Sequence, residues 1–590
     1  MPNTFSVLCV HGVGHGDKDA TLKPSWTEAI TSNLQRFQPD LEVDCEFFAY
    51  DDLFDHAPLN PVVYGKALAE LLASGVIHGI GDLFGATRGI LDVPDLVRWT
   101  AGMVAQWASE PDLRSKLRKR LAAAVAERPY SLVCAHSLGT LACYDTFQRD
   151  SSTMTGKAFM TFGSQIGNAC VRDCFAGRID AIKARQWYHL FNREDHVLTA
   201  QIKIDAPNFA QVLTEFDKAG DILNHDPVLY LNHENTRARV WPDLAGGRAS
   251  RRVSRAFSAI DKAMAPAHRE AAITPDRRAL LIGINDYPDP ANRLEGCVND
   301  VFLMSAVLQE RGFKAADIRI VLNDRATTVN LMERLHWLLD HVPDDGERFL
   351  FYSGHGAQMP SYSAQGEVDR LDECLVPYDF DWNPQHAIRD KQFVEFYSQL
   401  PYDSRFVAVF DCCHSGGLTR EGGLRARGLT PPDDIRHRAM CWDENAGRWD
   451  KRVLPDLART QKKETFRLGR GGHLHGLTDA QYDRERDALD HRGPYLPVIY
   501  EACQEKQLSY EYRDGSTSYG AFTFSLAKAI RAAEADGEHL TFRQLAARAT
   551  AQLKTLKYDQ TPNLDGPGRV LGKRIPWAAT KAKTRKRKRS

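Results

Sequence analysis

Short apolar runs punctuate the chain in two sets. In the first set, Phe5–Val10, Tyr130–Cys134, Ala158–Phe162 and Trp187–Phe191 read as buried strands, with amphipathic helical patterns between them at Trp26–Phe37 and Leu113–Ala126. The second set opens at Arg278–Gly283 and continues through Ile318–Val321, Arg348–Tyr352, Arg405–Phe410 and Tyr495–Tyr500. Continuous apolar runs that alternate with helices predict parallel sheets covered on both faces. The expected class is therefore α/β in both blocks, each with a mostly parallel central sheet.

The 590 residues are too many for one hydrophobic core, which agrees with two blocks. The spacing predicts a first domain over 1–244, a basic connector over 245–277 containing Arg251, Arg252 and Arg255, and a second domain over 278–575. Inside the second domain, roughly 418–490 is polar and rich in Arg, Gly and Asp, with Arg420, Arg425 and Arg427 near its start. A long insert without apolar periodicity suggests a functional or cleavable loop. Residues 61–105 are apolar and interrupted by Gly, which suits core helices or a lid over a site.

Charge changes the picture only at the end of the chain. The formal net charge is −1, yet Lys581 to Ser590 carry seven Lys or Arg and no acid. A run of this kind over 576–590 reads as a disordered tail, with an anionic partner as the sharper reading. The 12 cysteines form no regular framework, there is no signal-peptide pattern, and no apolar run is long enough to span a bilayer. These features predict a reducing, cytoplasmic setting with mostly free thiols.

Two motifs fall at the carboxyl ends of second-block strands, where catalytic groups of open parallel sheets gather. They are Tyr-Ser-Gly-His-Gly at 352–356 and Asp-Cys-Cys-His-Ser-Gly-Gly at 411–417. A thiol is mostly neutral at pH 7 and needs a partner imidazole to take its proton and pass it to a leaving amine. With the segments 281–287, 294–300, 372–377 and 519–523 in order, the pattern resembles the metacaspases, caspase-like cysteine proteases. The resemblance covers roughly 278–575. It implies Cys413 as nucleophile, His355 as base, and the backbone N–H groups of Cys413 and Gly356 as an oxyanion hole. It also implies cleavage after Arg or Lys, with Asp300 and Asp411 at the base of the pocket and Ser353 and Cys297 beside them. Many family members use calcium, which here would fall to Asp372 and Asp390. Arg389 stands where a further acid is expected, so the expectation is that no cofactor is required and that calcium, if used, is held by an altered site.

In the first block, Ala135-His136-Ser137-Leu138-Gly139 follows a strand and opens an apolar helical run, and His11-Gly12-Val13-Gly14-His15-Gly16 follows the first strand. These resemble the nucleophile elbow and the oxyanion loop of the α/β-hydrolases. The resemblance, over about 4–240, implies Ser137 as nucleophile, and Gly12, Val13 and Leu138 as the oxyanion-hole residues. The chain order Ser, acid, His then points to Asp195 and His225, with His196 and His233 as rival bases. The apolar 61–105 segment tilts the substrate toward an acyl lipid or hydrophobic ester.

The leading expectation is a cysteine endopeptidase fused to a serine hydrolase. It would cut Arg or Lys sites in itself or in protein substrates, and a cut in the connector would release the hydrolase. By family analogy such a fusion suggests a bacterial stress or defence role. The alternative is that the caspase-like half is a non-catalytic interaction module and only the serine hydrolase is active.

Overall fold

The first four apolar runs become neighbouring strands of one sheet in a computed structural model of the chain. The structure describes residues 4–12, 21–55, 95–217, 224–246, 276–360, 371–413, 426–429, 432, 440–443, 448–451, 479–504 and 507–576. Two units emerge. One contains Met1–Ala272, Tyr362–Gly366 and Arg470–Pro494; the other contains Ile273–Ser361, Glu367–Gly469 and Tyr495–Ser590.

The sheet of the first unit runs in the order Glu42–Phe48, Thr4–Val10, Leu132–His136, Ala158–Phe162, Gln186–Phe191, Phe209–Leu213. All five pairings are parallel. The central strands are buried along their whole length because helices cover both faces, as their unbroken apolar character requires. The helix Pro111–Glu127 shows how the covering works. Pro111 begins it where a missing N–H costs nothing, and Leu113, Leu117, Leu121 and Val125 fall on one buried face. The two outer strands, Glu42–Phe48 and Phe209–Leu213, are absent from the apolar pattern for a physical reason. Each is only partly buried and mixes polar with apolar residues.

The second unit places Asn563–Asp565, Val498–Glu501, Arg405–Asp411, Glu347–Ser353, Arg277–Gly283 and Ile318–Leu322 side by side. All but Asn563–Asp565 are parallel to their neighbours. The strand expected from Tyr495 begins at Val498, because Pro497 has no N–H to give to a ladder. The helix Phe542–Thr555 starts with a capping box, in which the Gln544 N–H donates to Thr541 Oγ1 and the Thr541 N–H donates to Gln544 Oε1. Its Phe542, Leu545, Ala549 and Leu553 are buried on one face. The strands Arg405–Asp411 and Glu347–Ser353 are in register Asp411 to Ser353, so their carboxyl ends lie together.

The polar stretch 418–490 is not without structure. Met440–Asp443 pairs antiparallel with Arg448–Lys451, and Asp479–Ala488 is a helix that belongs to the first unit. The connector arginines 251, 252 and 255, Arg420 and Arg425, most of 61–105 and the basic tail lie outside the described residues.

Candidate active sites

Cys413 follows the strand Arg405–Asp411 by two residues and is buried. His355 follows Glu347–Ser353 by two, so the adjacent strand ends bring the thiol and imidazole into one region. His355 is fixed from three sides. Its backbone N–H donates to the Tyr287 hydroxyl at 2.9 Å, and its carbonyl accepts from Tyr352 Oη at 2.7 Å. Its Nε2 lies 2.7 Å from the Asn292 carbonyl. A carbonyl only accepts, so Nε2 carries the proton and Nδ1 is the free base. Nδ1 is buried and has no hydrogen-bond partner among the described residues. Burial lowers the imidazole to about 4. Burial likewise raises the Cys413 thiol to about 11. Both groups are therefore neutral at pH 7 in this arrangement. The Arg427 backbone lies against both, since it contributes to the proton affinity of each.

Arg427 organises the rest of the site. Its carbonyl oxygen accepts from the N–H of Cys413 at 3.1 Å and from the N–H of Gly356 at 3.1 Å. Its own N–H donates to the Ser509 carbonyl at 3.0 Å, and the Leu429 N–H donates to the Gly356 carbonyl at 2.9 Å. Residues 426–429 thus lie extended, with Gly428 bridged to Gly356 on one side and Ala426 to Tyr510 on the other.

The Arg427 side chain is fully buried in an acidic pocket. Nη1 donates to Asp300 Oδ2 at 2.9 Å and to Ser353 Oγ at 2.7 Å, and it lies 3.4 Å from Asp411 Oδ1. The carboxylates are themselves held. Asp300 accepts from Ser353 Oγ at 2.8 Å and from the Gly520 N–H at 2.8 Å. Asp411 accepts from Ser509 Oγ at 2.7 Å and from Thr523 Oγ1 at 2.6 Å. Burial pushes Asp300 up to about 6, against the pull of the Arg427 charge. Cys297 is buried nearby, its thiol pushed well up by burial. Sequence reasoning missed Glu511, whose Oε1 lies 3.7 Å from Arg427 Nη2 and accepts the N–H groups of Glu295 and Gly296. No local motif marks it; it comes from a short strand far along the chain. Gly520 is required here, because a Cβ at that position would overlap Asp411 Oδ2 and the Arg427 guanidinium.

A caspase-domain family model matches residues 276–574. The chain belongs to the caspase-domain family. Its caspase domain is similar to Metacaspase-1 of Schizosaccharomyces pombe, 30% identical over 307 residues that span 49% of this chain and 66% of that protein. It is also similar to Metacaspase-1B of Neosartorya fischeri, 28% identical over 312 residues, 51% of this chain and 72% of that protein. Metacaspase-7 of Arabidopsis thaliana is 38% identical over 151 residues, 25% of this chain and 36% of that protein. Caspase-1 of Spodoptera frugiperda aligns in space with a TM-score of 0.30 and 11% identity, covering 54% of this chain and 97% of that one.

Asp390 begins the helix Asp390–Tyr397, with Arg389 before it, and the Asp372 side chain lies outside the described residues. Among the described residues no group of three or more His, Cys, Asp or Glu side chains is arranged to hold a metal ion.

The first unit holds a second constellation. Ser137 sits between the strand Leu132–His136 and the helix Leu138–Arg149 with φ of 53°, a left-handed conformation that costs a non-glycine residue strain. Gly12 passes close by: a Cβ there would lie 3.3 Å from Ser137 Oγ and 3.7 Å from the Leu138 nitrogen. Val13 lies outside the described residues. Asp195 is buried and lies 2.8 Å through Oδ2 and 3.0 Å through Oδ1 from His225 Nδ1. It also accepts from Tyr230 Oη at 2.6 Å and from the Val197 N–H at 3.0 Å. His225 Nε2 is buried without a partner among the described residues. The His225 ring lies 4.5 Å from that of His136, the residue before Ser137. Gly163, with φ of +53°, leaves both rings room. The rival base His233 instead caps the helix Glu234–Arg239 and contacts the Glu215 carbonyl through Nε2 at 3.1 Å. The Nδ1 of His196 is buried and has no hydrogen-bond partner among the described residues.

Proposed function

We propose that the caspase domain is a cysteine endopeptidase that cuts after Arg or Lys, and that the Arg427–Gly428 bond is its first substrate. The observation that supports this most is the posture of Arg427. Its carbonyl receives two backbone N–H groups, one from the nucleophile's own residue, while its guanidinium fills a pocket of three carboxylates. Two converging donors at a carbonyl are what a tetrahedral oxyanion needs.

The chemistry follows from the neutral pair. His355 Nδ1 takes the thiol proton as Cys413 Sγ attacks the Arg427 carbonyl carbon. The oxyanion forms against the N–H groups of Cys413 and Gly356. When it collapses, the C–N bond breaks, and the imidazolium gives its proton to the Gly428 amine, leaving a thioester on Cys413. Water, deprotonated by His355, hydrolyses the thioester and frees the Arg427 carboxylate and the thiol. Incubation of the wild-type chain should produce a fragment whose first residue is Gly428, absent from Cys413→Ala. A new amino terminus elsewhere, with the 427–428 bond intact, would sink this assignment. Turnover of an Arg-terminated fluorogenic peptide, lost in Cys413→Ala, separates it from the reading of this domain as a non-catalytic interaction module.

The first unit supports a second activity, a serine hydrolase of the α/β-hydrolase kind acting on an ester or acyl lipid. The Asp195–His225 contact and the strained turn at Ser137 favour it. Asp195 would hold the imidazole with Nε2 facing the nucleophile, and the Gly12 and Leu138 backbones would receive the oxyanion. Covalent labelling by a fluorophosphonate, lost in Ser137→Ala and kept in Cys413→Ala, tests it. Equal labelling of wild type and Ser137→Ala would refute it.

A further inference from the structure

Residues 479–494 are encoded inside the caspase half of the chain yet are built into the first unit. The helix Asp479–Ala488 buries Tyr482, and Leu489 follows it into the same hydrophobic cluster as Trp107, Phe175 and Ala176. The contact is specific as well as apolar. Tyr482 Oη donates to the Ala176 carbonyl at 2.8 Å. His491 Nε2 donates to the Phe175 carbonyl at 3.1 Å, its tautomer set by the Gly493 N–H, which donates to Nδ1 at 2.9 Å. Glu485 pairs with Arg149 at the end of the helix that Ser137 begins. Ala176 and Gly177 both have positive φ, 50° and 75°, and this turn opens the space in which Tyr482 Oη and the Pro494 ring sit. At Tyr495 the chain returns to the second unit and soon forms the strand Val498–Glu501.

We propose that residues 479–494 are an intramolecular docking strap whose partner is the surface of the first unit around Phe175–Gly177 and Arg149. The first unit is then tied to the rest of the chain twice, covalently through the connector and non-covalently through the strap. A cut at Arg427 leaves residues 428–590 bound to the first unit. A cut in the connector alone does not release that unit, which revises the expectation that it would. Docking of a buried aromatic side chain plus three polar contacts is of the kind that anchors an interface.

The test uses the full chain with Cys413→Ala and an inserted recognition sequence for an unrelated site-specific protease at 251–256. Its outcome therefore does not depend on either activity proposed above. After the cut, the two pieces should co-elute on size exclusion. With Tyr482→Asp and Leu489→Asp together they should separate, while the uncut variant elutes as the uncut parent does. A milder pair guards against misfolding: Glu485→Arg should speed separation by roughly three- to tenfold, whereas Glu485→Asp, which keeps the charge and leaves the Arg149–Asp145 pair untouched, should not. Separation of the cut chain with an unaltered strap would overturn the proposal. So would co-elution of the Tyr482→Asp, Leu489→Asp chain, or equal separation rates for the Glu485→Arg and Glu485→Asp chains.

Discussion

The backbone N–H of Cys413 donates to the carbonyl oxygen of Arg427 at 3.1 Å, so the residue proposed as nucleophile grips a peptide of the same chain. The Gly356 N–H reaches the same oxygen. The geometry ties the fate of one bond to the charge state and shape of one pocket, and that makes it easy to disturb.

Removing the guanidinium has two expected effects. Arg427→Ala should abolish cleavage at 427–428. It also leaves Asp300 and Asp411 buried without their cation, so in a Cys413→Ala background it should lower stability by about 3–5 kcal/mol. Denaturant unfolding of the two proteins reads this directly. Arg427→Lys should cut more slowly and lose less stability, because an ammonium keeps the charge without the planar fork.

The pocket should titrate. Burial holds Asp300 at about 6 while Arg427 pulls it down. The folded value lies above the unfolded one of about 4, so the folded state binds the extra proton. The stabilisation from Asp300 is full below about pH 4 and is lost as pH rises through 6. Activity should move the other way, since only the carboxylate grips a guanidinium. kcat/KM for an Arg peptide should fall as pH drops through about 6, and the fall should sit higher once Arg427 has left the pocket. A profile in Asp300→Asn that keeps the same inflection would exclude this origin.

Gly520→Ala tests the wall of the pocket. A methyl group there meets Asp411 Oδ2 and the site of the guanidinium, so the variant should lose most turnover of Arg and Lys peptides. Its circular dichroism should stay close to wild type, because Gly520 precedes the helix Ala521–Ala535 in an extended conformation with φ of −70° that alanine adopts freely.

In the first unit, Asp195→Asn should keep the contact to His225 but favour the wrong tautomer, cutting fluorophosphonate labelling by roughly 10³–10⁴-fold. Tyr230→Phe removes one donor to Asp195 and should cost less, about tenfold. Equal labelling of Asp195→Asn and wild type would mean that Asp195 takes no part.

Much of this protein is written locally. Short apolar runs located the central strands of both sheets, because a strand buried on both faces is mostly apolar. Ser137, His355 and Cys413 stand out as candidates in the sequence because each sits in a short motif at a strand end, where spacing along the chain is spacing in the structure. The outer strands of the first sheet, Asn563–Asp565 at one edge of the second, and Glu511 were not legible, for their roles depend on neighbours that sequence distance does not reveal. Only the tertiary structure decided that Arg427, of six arginines with comparable local surroundings, lies in the Asp300–Asp411 pocket. Only it put residues 479–494 in the first unit. Local sequence sets backbone preference, whereas which side chain meets which carboxylate is decided by how distant segments pack.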